Sequence, residues 1–556
     1  MTRRGLVGAA VSDSFLVLEQ NDPAKEAIMS LNRRELLQAA GSIVAGTMLA
    51  GNEPATAQPA KSDAFSIDAA FAEFMRNIGG TPNDSGGSVT FTGRDPIVRS
   101  HFRIGACMAV PAMAAAVGAA AVWRERTGES QDANIDLRQA VYGVAPWMRL
   151  LTDEMMALGA LTHDPLPADL TWQPMLNNRS LQAPLIIGNP MSFGIFETRD
   201  GRMVTPTGIY PQHFTGFLSL VDAAPNRRSI ADHIKTFYSD ELEQMVGKSG
   251  NIMGIHRTAD EWLQHPQGKY LATVPLIEIV KIGDSAPIPW TPQPTAPLSG
   301  IKTLACTHVI ASTTAARTLG GYGAEVLHVT RDQSFEHDAI YVDLNVGMRS
   351  TLLNLKDSAQ NKVLQGLLPQ ADVFVEGFRG RKIADLGFSP EEVASRKPGI
   401  VYLSVRAYGW DGPWRDFAGF DMEGLTVSGF TMIEGGGQRP RFPPTFVMND
   451  YIAGYIGAAG LIAALRRRAR EGGSYHVRVS LARSAMWFMS LGQFPTTDFD
   501  LSGSEHRMIA PETVQGQTPY GRLERLAPMV KLSRTPARWR DPLLVVRGGD
   551  LPAWPS

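Results

Sequence analysis

The chain has 556 residues, of which 44% are hydrophobic and 19% are charged. That composition is typical of a folded globular protein, and the length predicts two domains rather than one core. The 53 Lys and Arg residues nearly balance the 55 Asp and Glu residues, which leaves a formal net charge of −2. This balance excludes a general field for nucleic acid or an anionic membrane, so any anion site must be local.

Cysteine and histidine give no sign of a metal centre. The two cysteines, Cys107 and Cys306, are too few for a disulfide scaffold or a metal cluster. The histidines are scattered and lack the spacing of a zinc site. We therefore predict no metal, and we interpret both cysteines as small buried hydrophobic residues.

The N-terminus resembles a twin-arginine export signal over residues 1–60. Arg33-Arg34 precedes a weakly apolar run at residues 39–50, and Ala55-Thr56-Ala57 follows as a small-x-small cleavage pattern. Met29 is a candidate for the true start. The apolar run is too short and too Gly-rich to remain in a bilayer, so no stable membrane span is predicted. The alternative is a leader whose arginine pair is accidental.

Residues 61–286 form the next predicted region. Residues 61–100 are polar and Gly-rich and are predicted to be irregular, whereas residues 105–125 form a long Ala-rich helix before a strand at 133–137. A mixed α/β segment follows, with a strand at 204–207 and helices at 211–220, 230–238 and from 260 to 265. A stretch with five prolines, residues 287–297, then predicts a semi-rigid linker and a domain boundary.

An Ala-rich helix, a glycine and a short strand occur twice in the chain. The first copy passes through Gly128 to a strand that ends at Leu137, and the second passes through Gly472-Gly473 to a strand at 477–481. This pattern predicts that residues 61–286 are a degenerate repeat of the back half of the chain and include a small α/β domain.

Strands and helices alternate after the linker. The predicted strands are 301–306, 325–329, 351–355, 373–375 and 400–405, with helices at 313–321 and 358–368 and a capping box at Ser389. This rhythm predicts an α/β fold with a mostly parallel sheet that binds ligands at the carboxyl ends of its strands. Gly320-Gly321-Tyr322-Gly323 follows a helix and is interpreted as its C-terminal stop, so a nicotinamide or flavin site is not expected.

Ordered motifs over residues 297–490 resemble the family III CoA-transferases, which include formyl-CoA transferases and α-methylacyl-CoA racemases. The motifs are Pro297-Leu298-Ser299-Gly300-Ile301, Arg317-Thr318-Leu319, Gly323-Ala324-Glu325-Val326, Asp343-Leu344-Asn345, Leu353-Asn354-Leu355-Lys356, Ala371-Asp372-Val373 to Phe378, Ala407-Tyr408-Gly409, Asp411-Gly412-Pro413-Trp414, Gly419-Phe420-Asp421 and Asp450-Tyr451-Ile452-Ala453-Gly454. The resemblance implies a large Rossmann-like domain at 298–490, a smaller α/β domain and a homodimer. Because back-half motifs come first here, the fold would be permuted or partly duplicated, with a C-terminal extension at 491–556.

The nucleophilic aspartate of the family falls on Asp450, a carboxylate among small and apolar neighbours. The resemblance implies that it attacks an acyl-CoA thioester, and that an aspartyl anhydride and an aspartyl-CoA thioester follow before CoA passes to a carboxylic acid. From the residues alone, the alternative is that Asp450 caps the following helix. Asp421 and Tyr451 are implied as supporting residues, with Asp421 either an acid or a structural acceptor. No second aspartate stands at Ala106-Cys107, so one active carboxylate is expected per chain.

The CoA contacts of the family fall on residues at the ends of strands. They are His308, Ile310, Ala311, Arg331, Lys356 and the backbone of Phe378. Basic side chains at these positions suit a phosphorylated ligand, although each could equally be solvated surface. Several positions depart from the family pattern, among them Thr330 in place of an acidic residue, Gly377 in place of asparagine, and Asp385 in place of an arginine that some members have.

Three functions compete at this point. The first is a CoA-transferase acting on small or medium carboxylic acids. The second is a racemase or epimerase, which is disfavoured because Phe420 stands where racemases have a histidine and cannot move a proton. The third is an exported, non-catalytic relative that only binds a ligand. CoA chemistry points to the cytoplasm, whereas a functional leader would point to the periplasm, so the localisation stays open.

Overall fold

The computed structural model of the chain describes residues 65–144, 175–180, 189–191, 194–331, 336–445 and 447–555. The predicted leader lies outside these residues. The elements before the linker are α1 (Ile67–Asn77), β1 (Gly86–Thr92), α2 (Ile104–Thr127), β2 (Gln131–Asp136), α3 (Leu137–Ala140), β3 (Met175–Leu176), β4 (Arg179–Ser180), β5 (Phe196–Glu197), β6 (Met203–Pro206), α4 (Pro211–Val221), α5 (Arg227–Ile234), α6 (Ser239–Ser249), β7 (Met253–Ile255), α7 (Ala259–Gln264), α8 (Pro266–Thr273) and β8 (Ile277–Gly283).

The prediction that residues 61–100 are irregular is wrong, because this segment contains α1 and β1. The Ser66 side chain caps α1, and Phe71, Phe74 and Met75 bury one face of the helix at helical spacing. In β1 alternate residues are exposed and half-buried, and the strand pairs in parallel with β2. The high glycine and polar content hid an element of which only one face is partly covered.

The second half of the chain alternates strands and helices as expected. Its elements are β9 (Lys302–Cys306), α9 (Ala311–Gly321), β10 (Glu325–Thr330), α10 (Asp338–Leu344), β11 (Arg349–Leu352), α11 (Ser358–Leu367), β12 (Val373–Glu376), α12 (Pro390–Arg396), β13 (Val401–Arg406), α13 (Asp421–Ser428), α14 (Phe430–Glu434), α15 (Asn449–Glu471), β14 (Ser474–Ser480), α16 (Leu481–Ser490), β15 (Thr513–Thr518), β16 (Gly521–Leu526) and β17 (Lys531–Leu532).

Seven of these strands form the central sheet, in the order β11-β10-β9-β12-β13-β14-β8. The six strands that follow the linker pair in parallel, in the order 3-2-1-4-5-6 typical of Rossmann folds. The predicted α/β fold with a mostly parallel sheet is therefore confirmed. In such a sheet the ligand crevice lies where the strand order reverses, here between β9 and β12.

The segment before the linker completes the central sheet. β8 pairs antiparallel with β14 and forms one edge. The linker itself, residues 287–297, contains neither helix nor strand. Arg126, in the last turn of α2, fixes the C-terminal end of the linker. Its guanidinium donates to the carbonyl oxygens of Pro297 and Ser299, both at 2.9 Å. The connector is therefore packed against the fold, while the predicted domain boundaries stay predictions.

Two segments share the order helix, glycine, strand, helix. They are α2, Gly128, β2 and α3 in the first half, and α15, Gly472, β14 and α16 in the second. The two long helices pack against each other so closely that a Cβ on Gly118 would lie 3.0 Å from Ile462. This arrangement is what the predicted repeat requires.

Among the described residues, only α2 has the length and hydropathy of a membrane span, and its whole apolar window is buried inside the protein. The largest hydrophobic core forms around α2, α15 and one face of the central sheet. A smaller core covers the three-stranded sheet β5-β6-β7 with α4, α5 and α6. That smaller unit brings the start of α4 towards the carboxyl ends of the central strands.

Candidate active site

A cavity of about 720 Å³ opens at the carboxyl ends of the central strands. Its wall contains residues that directly follow β9, β12 and β13, where the strand order predicts a ligand crevice. The volume lies in the range of pockets that bind cofactor-sized molecules. Of the nine residues predicted for the site, seven line this cavity: His308, Ile310, Ala311, Arg331, Lys356, Phe378 and Asp450.

Asp450 is the second residue of α15 and is 4% exposed. The helix N-cap is Met448, without a side-chain cap hydrogen bond, so the alternative interpretation of Asp450 as the N-cap is wrong. A close helix contact fixes its position. A Cβ on Gly454 would lie 2.7 Å from the Ala311 carbonyl oxygen, so only glycine lets α15 approach α9 at this point.

The environment of Asp450 favours its neutral form. Burial, and then the negative charge of Glu423, raise the pKa of Asp450 to about 7. Glu423 is itself fully buried, where it accepts hydrogen bonds from the Thr207 hydroxyl at 2.6 Å and the Phe420 N–H at 2.9 Å. A carboxylate with a raised pKa is more basic than an exposed aspartate, which suits a nucleophile once it is ionised.

Asp421 lies behind Asp450 and outside the cavity wall. Its Oδ2 accepts the Asp450 backbone N–H at 2.7 Å, and Asn449 also donates a backbone hydrogen bond to this carboxyl group. Burial and the Asp450 charge raise the pKa of Asp421 well above its usual range. Of its two predicted roles, this geometry matches the structural acceptor, because Asp421 supplies the cap that α15 lacks.

The predicted degenerate repeat contains an equivalent cap. Asp95 accepts the N–H groups of Gly105 at 3.0 Å and Ala106 at 2.7 Å at the start of α2. When Gly128 is aligned with Gly472, Ala106 falls opposite Asp450. In both copies a carboxylate caps the long helix. Only in the second copy does the capped helix itself carry a carboxylate, Asp450, beside the capping Asp421.

Tyr451 points away from the cavity. It does not line the cavity, and its hydroxyl donates to Asp343 at 2.8 Å. The supporting role predicted for Tyr451 is thus limited, in this geometry, to fixing the helix that carries Asp450.

The cavity carries an excess of positive charge. Arg331 and Lys356 lie in its wall, as a phosphate-binding role requires, and both are also exposed to solvent. Each of the two interpretations made from the sequence is therefore correct in part. The wall also contains basic residues that the sequence analysis missed: Arg379, Lys382, Arg406 and Arg415. Arg379 directly follows Phe378 and Arg406 ends β13, so their positions at strand ends could have indicated them. The one acidic residue in the wall besides Asp450 is Asp385.

A buried carboxylate joins the first half of the chain to this site. Glu336 accepts the Tyr210 hydroxyl at 2.7 Å and the Val309 backbone N–H at 2.6 Å. Val309 lines the cavity with φ of 64°, a left-handed conformation that a β-branched residue rarely adopts. Tyr210 also stacks on His337, with ring centroids 4.6 Å apart. Sequence reasoning missed this group because its members are far apart in the chain.

His213 enters the same cavity from α4. Its ring lies edge-on to Phe420, with centroids 6.0 Å apart. Burial and the charge of Arg379 lower the pKa of His213 to about 4, so the ring is neutral at pH 7. A histidine is therefore present near the position where racemases carry one, although it comes from another element.

No group of three or more histidine, cysteine or acidic side chains arranged to hold a metal ion occurs among the residues that the structure describes. Both cysteines are buried, as predicted. The cavity wall combines basic and apolar side chains and includes Asp450, and such a lining suits a ligand that carries phosphates on an apolar arm.

Comparisons with known proteins find a family match for part of the chain. Residues 298–524 match CoA-transferase family III. The acetyl-coenzyme A transferase nodX of Hypoxylon pulicicidum is 29% identical over 342 residues, covering 57% of this chain and 56% of that protein. Human succinyl-CoA:glutarate CoA-transferase is 28% identical over 219 residues, covering 36% and 50%. The chain thus spans about half the length of the curated relatives it matches.

Two solved structures match parts of the chain. Rv3272 of Mycobacterium tuberculosis is 28% identical and matches 35% of this chain and 57% of its own, with a TM-score of 0.32. A CAIB/BAIF family protein from Brucella suis is 20% identical, with coverage of 41% and 65% and a TM-score of 0.32. Residues 298–524 thus match CoA-transferase family III, in agreement with the resemblance carried by the sequence motifs.

Proposed function

We propose that the protein is a CoA-transferase that moves CoA between an acyl-CoA thioester and a carboxylic acid, with Asp450 as the nucleophile. The observation that carries the proposal is the position of Asp450, a buried carboxylate in the wall of a large cavity with a basic lining. The names of the relatives, all transferases of CoA or acyl-CoA, point the same way.

The chemistry balances with one carboxylate. An Asp450 oxygen attacks the thioester carbonyl carbon, and the carbon–sulfur bond breaks. The products are a mixed anhydride between Asp450 and the acyl group, and free CoA as a thiolate. The thiolate then attacks the Asp450 carbonyl and releases the first acid as its carboxylate. An incoming carboxylate attacks the aspartyl-CoA thioester, and the thiolate finally attacks the acceptor's carbonyl, which frees Asp450. Each step replaces one acyl leaving group by another, and no net proton transfer is required.

The protein supplies burial, placement and charge. Exclusion of water protects the anhydride and the aspartyl thioester from hydrolysis. Capping by Asp421 fixes the start of α15, while the Glu336 contacts fix the turn at Val309 opposite it. Arg331 and Lys356, with the other basic residues of the wall, would hold the phosphates of CoA and leave the thioester near Asp450.

The decisive test is a panel of CoA esters and free acids incubated with purified protein, with exchanged thioesters detected by mass spectrometry. Wild-type protein should exchange CoA with at least one pair, and the Asp450→Ala variant should not. CoA binding without exchange by any pair would favour the non-catalytic alternative.

A racemase or epimerase remains the second candidate, because His213 supplies an imidazole beside Phe420. Proton abstraction at the α-carbon would incorporate deuterium from D₂O into a 2-methylacyl-CoA, which CoA transfer does not do. Deuterium uptake that is lost in His213→Phe, with no CoA exchange, would replace the first proposal by the second.

The homodimer and the twin-arginine leader also remain proposals. Light scattering on the purified full chain should report twice the mass of one chain. Sequencing of the mature N-terminus should find Gln58 if the leader is cleaved, and Met1 or Met29 in the cytoplasm if it is not. These results decide whether the enzyme works where CoA is available.

A further inference from the structure

Two arginines and one carboxylate lie together on the side of α15 that faces away from the cavity. Arg317 and Arg525 lie 3.7 Å and 3.2 Å from the Asp343 carboxylate oxygens. None of the three residues is more than 5% exposed. Tyr451 donates its hydroxyl to the same carboxylate from α15. One negative charge therefore faces two positive charges, and the cluster carries an excess positive charge away from water.

Arg525 is also short of hydrogen-bond acceptors. Its Nη2 donates to Asp343, but Nε and Nη1 are buried and find no acceptor in the part of the chain that the structure describes. The Trp539 ring covers the guanidinium face, 4.2 Å from its carbon. Burial and the charge of Arg317 lower the pKa of Arg525 to about 10, which still leaves the group charged at neutral pH. A buried cation with unpaired N–H groups is unfavourable unless an anion accompanies it.

A small cavity opens beside this cluster. Its volume is about 50 Å³, and both arginines line it together with Tyr322, Tyr451 and Tyr455. Tyrosine hydroxyls and guanidinium groups are hydrogen-bond donors, and they suit an anion. Since one water occupies about 30 Å³ of the liquid, the space fits a halide-sized ion and excludes an acyl group or any part of CoA. None of its lining residues belongs to the 720 Å³ cavity.

We propose that this small cavity is a binding site for a small inorganic anion of halide size, held by Arg525 and Arg317. The anion balances the second arginine and accepts the N–H groups that Asp343 leaves unpaired. Tyr451 directly follows Asp450, so an occupied site also stabilises the start of the helix that carries the nucleophile. The site thereby links the strand β16 to the catalytic helix without touching a substrate.

The test compares the thermal midpoint in sodium chloride or bromide with that in sodium gluconate at equal ionic strength, because gluconate is too large for the cavity. Wild-type protein should show a higher, saturating midpoint in halide. The matched control Arg522→Met, on an exposed position of the same strand, should show the same rise. Arg525→Met should lose the rise and be at least as stable as wild type in gluconate, since Arg317 and Asp343 then balance. An equal midpoint for wild type in both salts, or a full rise in Arg525→Met, would overturn the proposal.

A second measurement does not depend on whether Arg525→Met folds. Crystals of the wild-type protein grown in bromide should give an anomalous peak in the cavity, within hydrogen-bond distance of Arg525. Tyr455→Phe, which removes one hydroxyl and keeps the ring, should reduce the halide-dependent rise. A cavity that holds only water in bromide would reject the site.

Discussion

The Asp421 carboxylate accepts the backbone N–H of Asp450 at 2.7 Å, so one buried acid caps the helix that places the other in the cavity. The two residues lie on different helices, α13 and α15. Burial, and then the negative charge of Asp450, raise the pKa of Asp421 well above its usual range. In the proposed mechanism, this contact gives Asp421 the role of positioning Asp450.

Substitutions of Asp421 should distinguish a role in positioning Asp450 from a direct role in the reaction. Asp421→Asn keeps an acceptor oxygen for the Asp450 N–H and should retain most of the activity, whereas Asp421→Ala should lower kcat about 10-fold or more. The alanine variant should also lose about 1 kcal/mol of unfolding free energy, as other helices do on losing a cap. Steady-state kinetics and urea denaturation measure both effects. Equal loss of activity in both variants would show that the carboxylic acid itself takes part in the reaction.

The pKa of Asp450 predicts the pH dependence. Because only the ionised carboxylate attacks, kcat/KM for the acyl-CoA should rise with pH and level off above about 7. Glu423→Gln removes the negative charge that is the second cause of the raised pKa, so the rise in kcat/KM should move to lower pH. At pH 6 the variant should reach a larger fraction of its maximal kcat/KM than wild type does. An unchanged profile would mean that Glu423 does not influence the nucleophile.

The same shift predicts the sign of a stability effect. The folded-state pKa of Asp450 lies above its unfolded value of 3.8, so the folded protein holds this proton more tightly and loses that stability as pH rises through 7. Asp450→Asn cannot ionise and should therefore become more stable relative to wild type at pH 8 than at pH 5. Denaturation at the two pH values tests this. A constant difference would place Asp450 in a more solvated setting.

The basic residues in the cavity wall should act on CoA affinity. Arg331→Ala and Lys356→Ala should raise KM for the acyl-CoA several-fold, with a smaller change in kcat and a weaker dependence of KM on salt. Arg228→Ala is the matched control, since this arginine lies exposed on α5 and is not part of the cavity wall. KM values measured between low and physiological salt decide the point. If the control behaved like the two variants, only the net charge of the protein would matter.

The Glu336 contacts should behave as one unit. Glu336→Ala leaves both the Val309 N–H and the Tyr210 hydroxyl without an acceptor and should reduce activity more than Tyr210→Phe, which removes one of the two hydrogen bonds. The double variant should be no worse than Glu336→Ala alone, because the interaction is already lost. Additive losses in kcat/KM would show that Tyr210 acts independently of Glu336.

The sequence predicted the part of the fold whose signals are local. The strands β9, β10, β12 and β13 are short apolar runs between clear helix signals, and their positions agree with the structure within one or two residues. The capping box at Ser389 forms as predicted, because it involves residues only three apart in the chain. The strand predicted at 351–355 lies at Arg349–Leu352, and the helix predicted at 230–238 lies at Arg227–Ile234, so element boundaries were less well defined.

The remaining features depend on tertiary contacts. Asp421 and Asp450 are far apart in the chain, and nothing in either local sequence shows that one caps the other. His213 lines the cavity from α4, and Tyr210 just before that helix hydrogen-bonds Glu336, through contacts that no periodic pattern encodes. The α1 and β1 elements were missed because glycine and polar residues conceal a half-buried strand. The motifs of the second half thus predicted seven residues of the cavity wall. The missed residues come from both halves, with Arg379 and Arg406 in the second and His213 in the first.

Trapping the covalent intermediate tests the central claim most directly. The protein is incubated with acyl-CoA and hydroxylamine, digested, and analysed by peptide mass spectrometry, with Asp450→Ala as the control. Attack of hydroxylamine on an aspartyl anhydride or thioester should convert Asp450 into its hydroxamate, only in wild-type protein and only when acyl-CoA is present. Turnover of acyl-CoA with an unmodified Asp450, or undiminished turnover in the alanine variant, would contradict the assignment of Asp450 as the nucleophile.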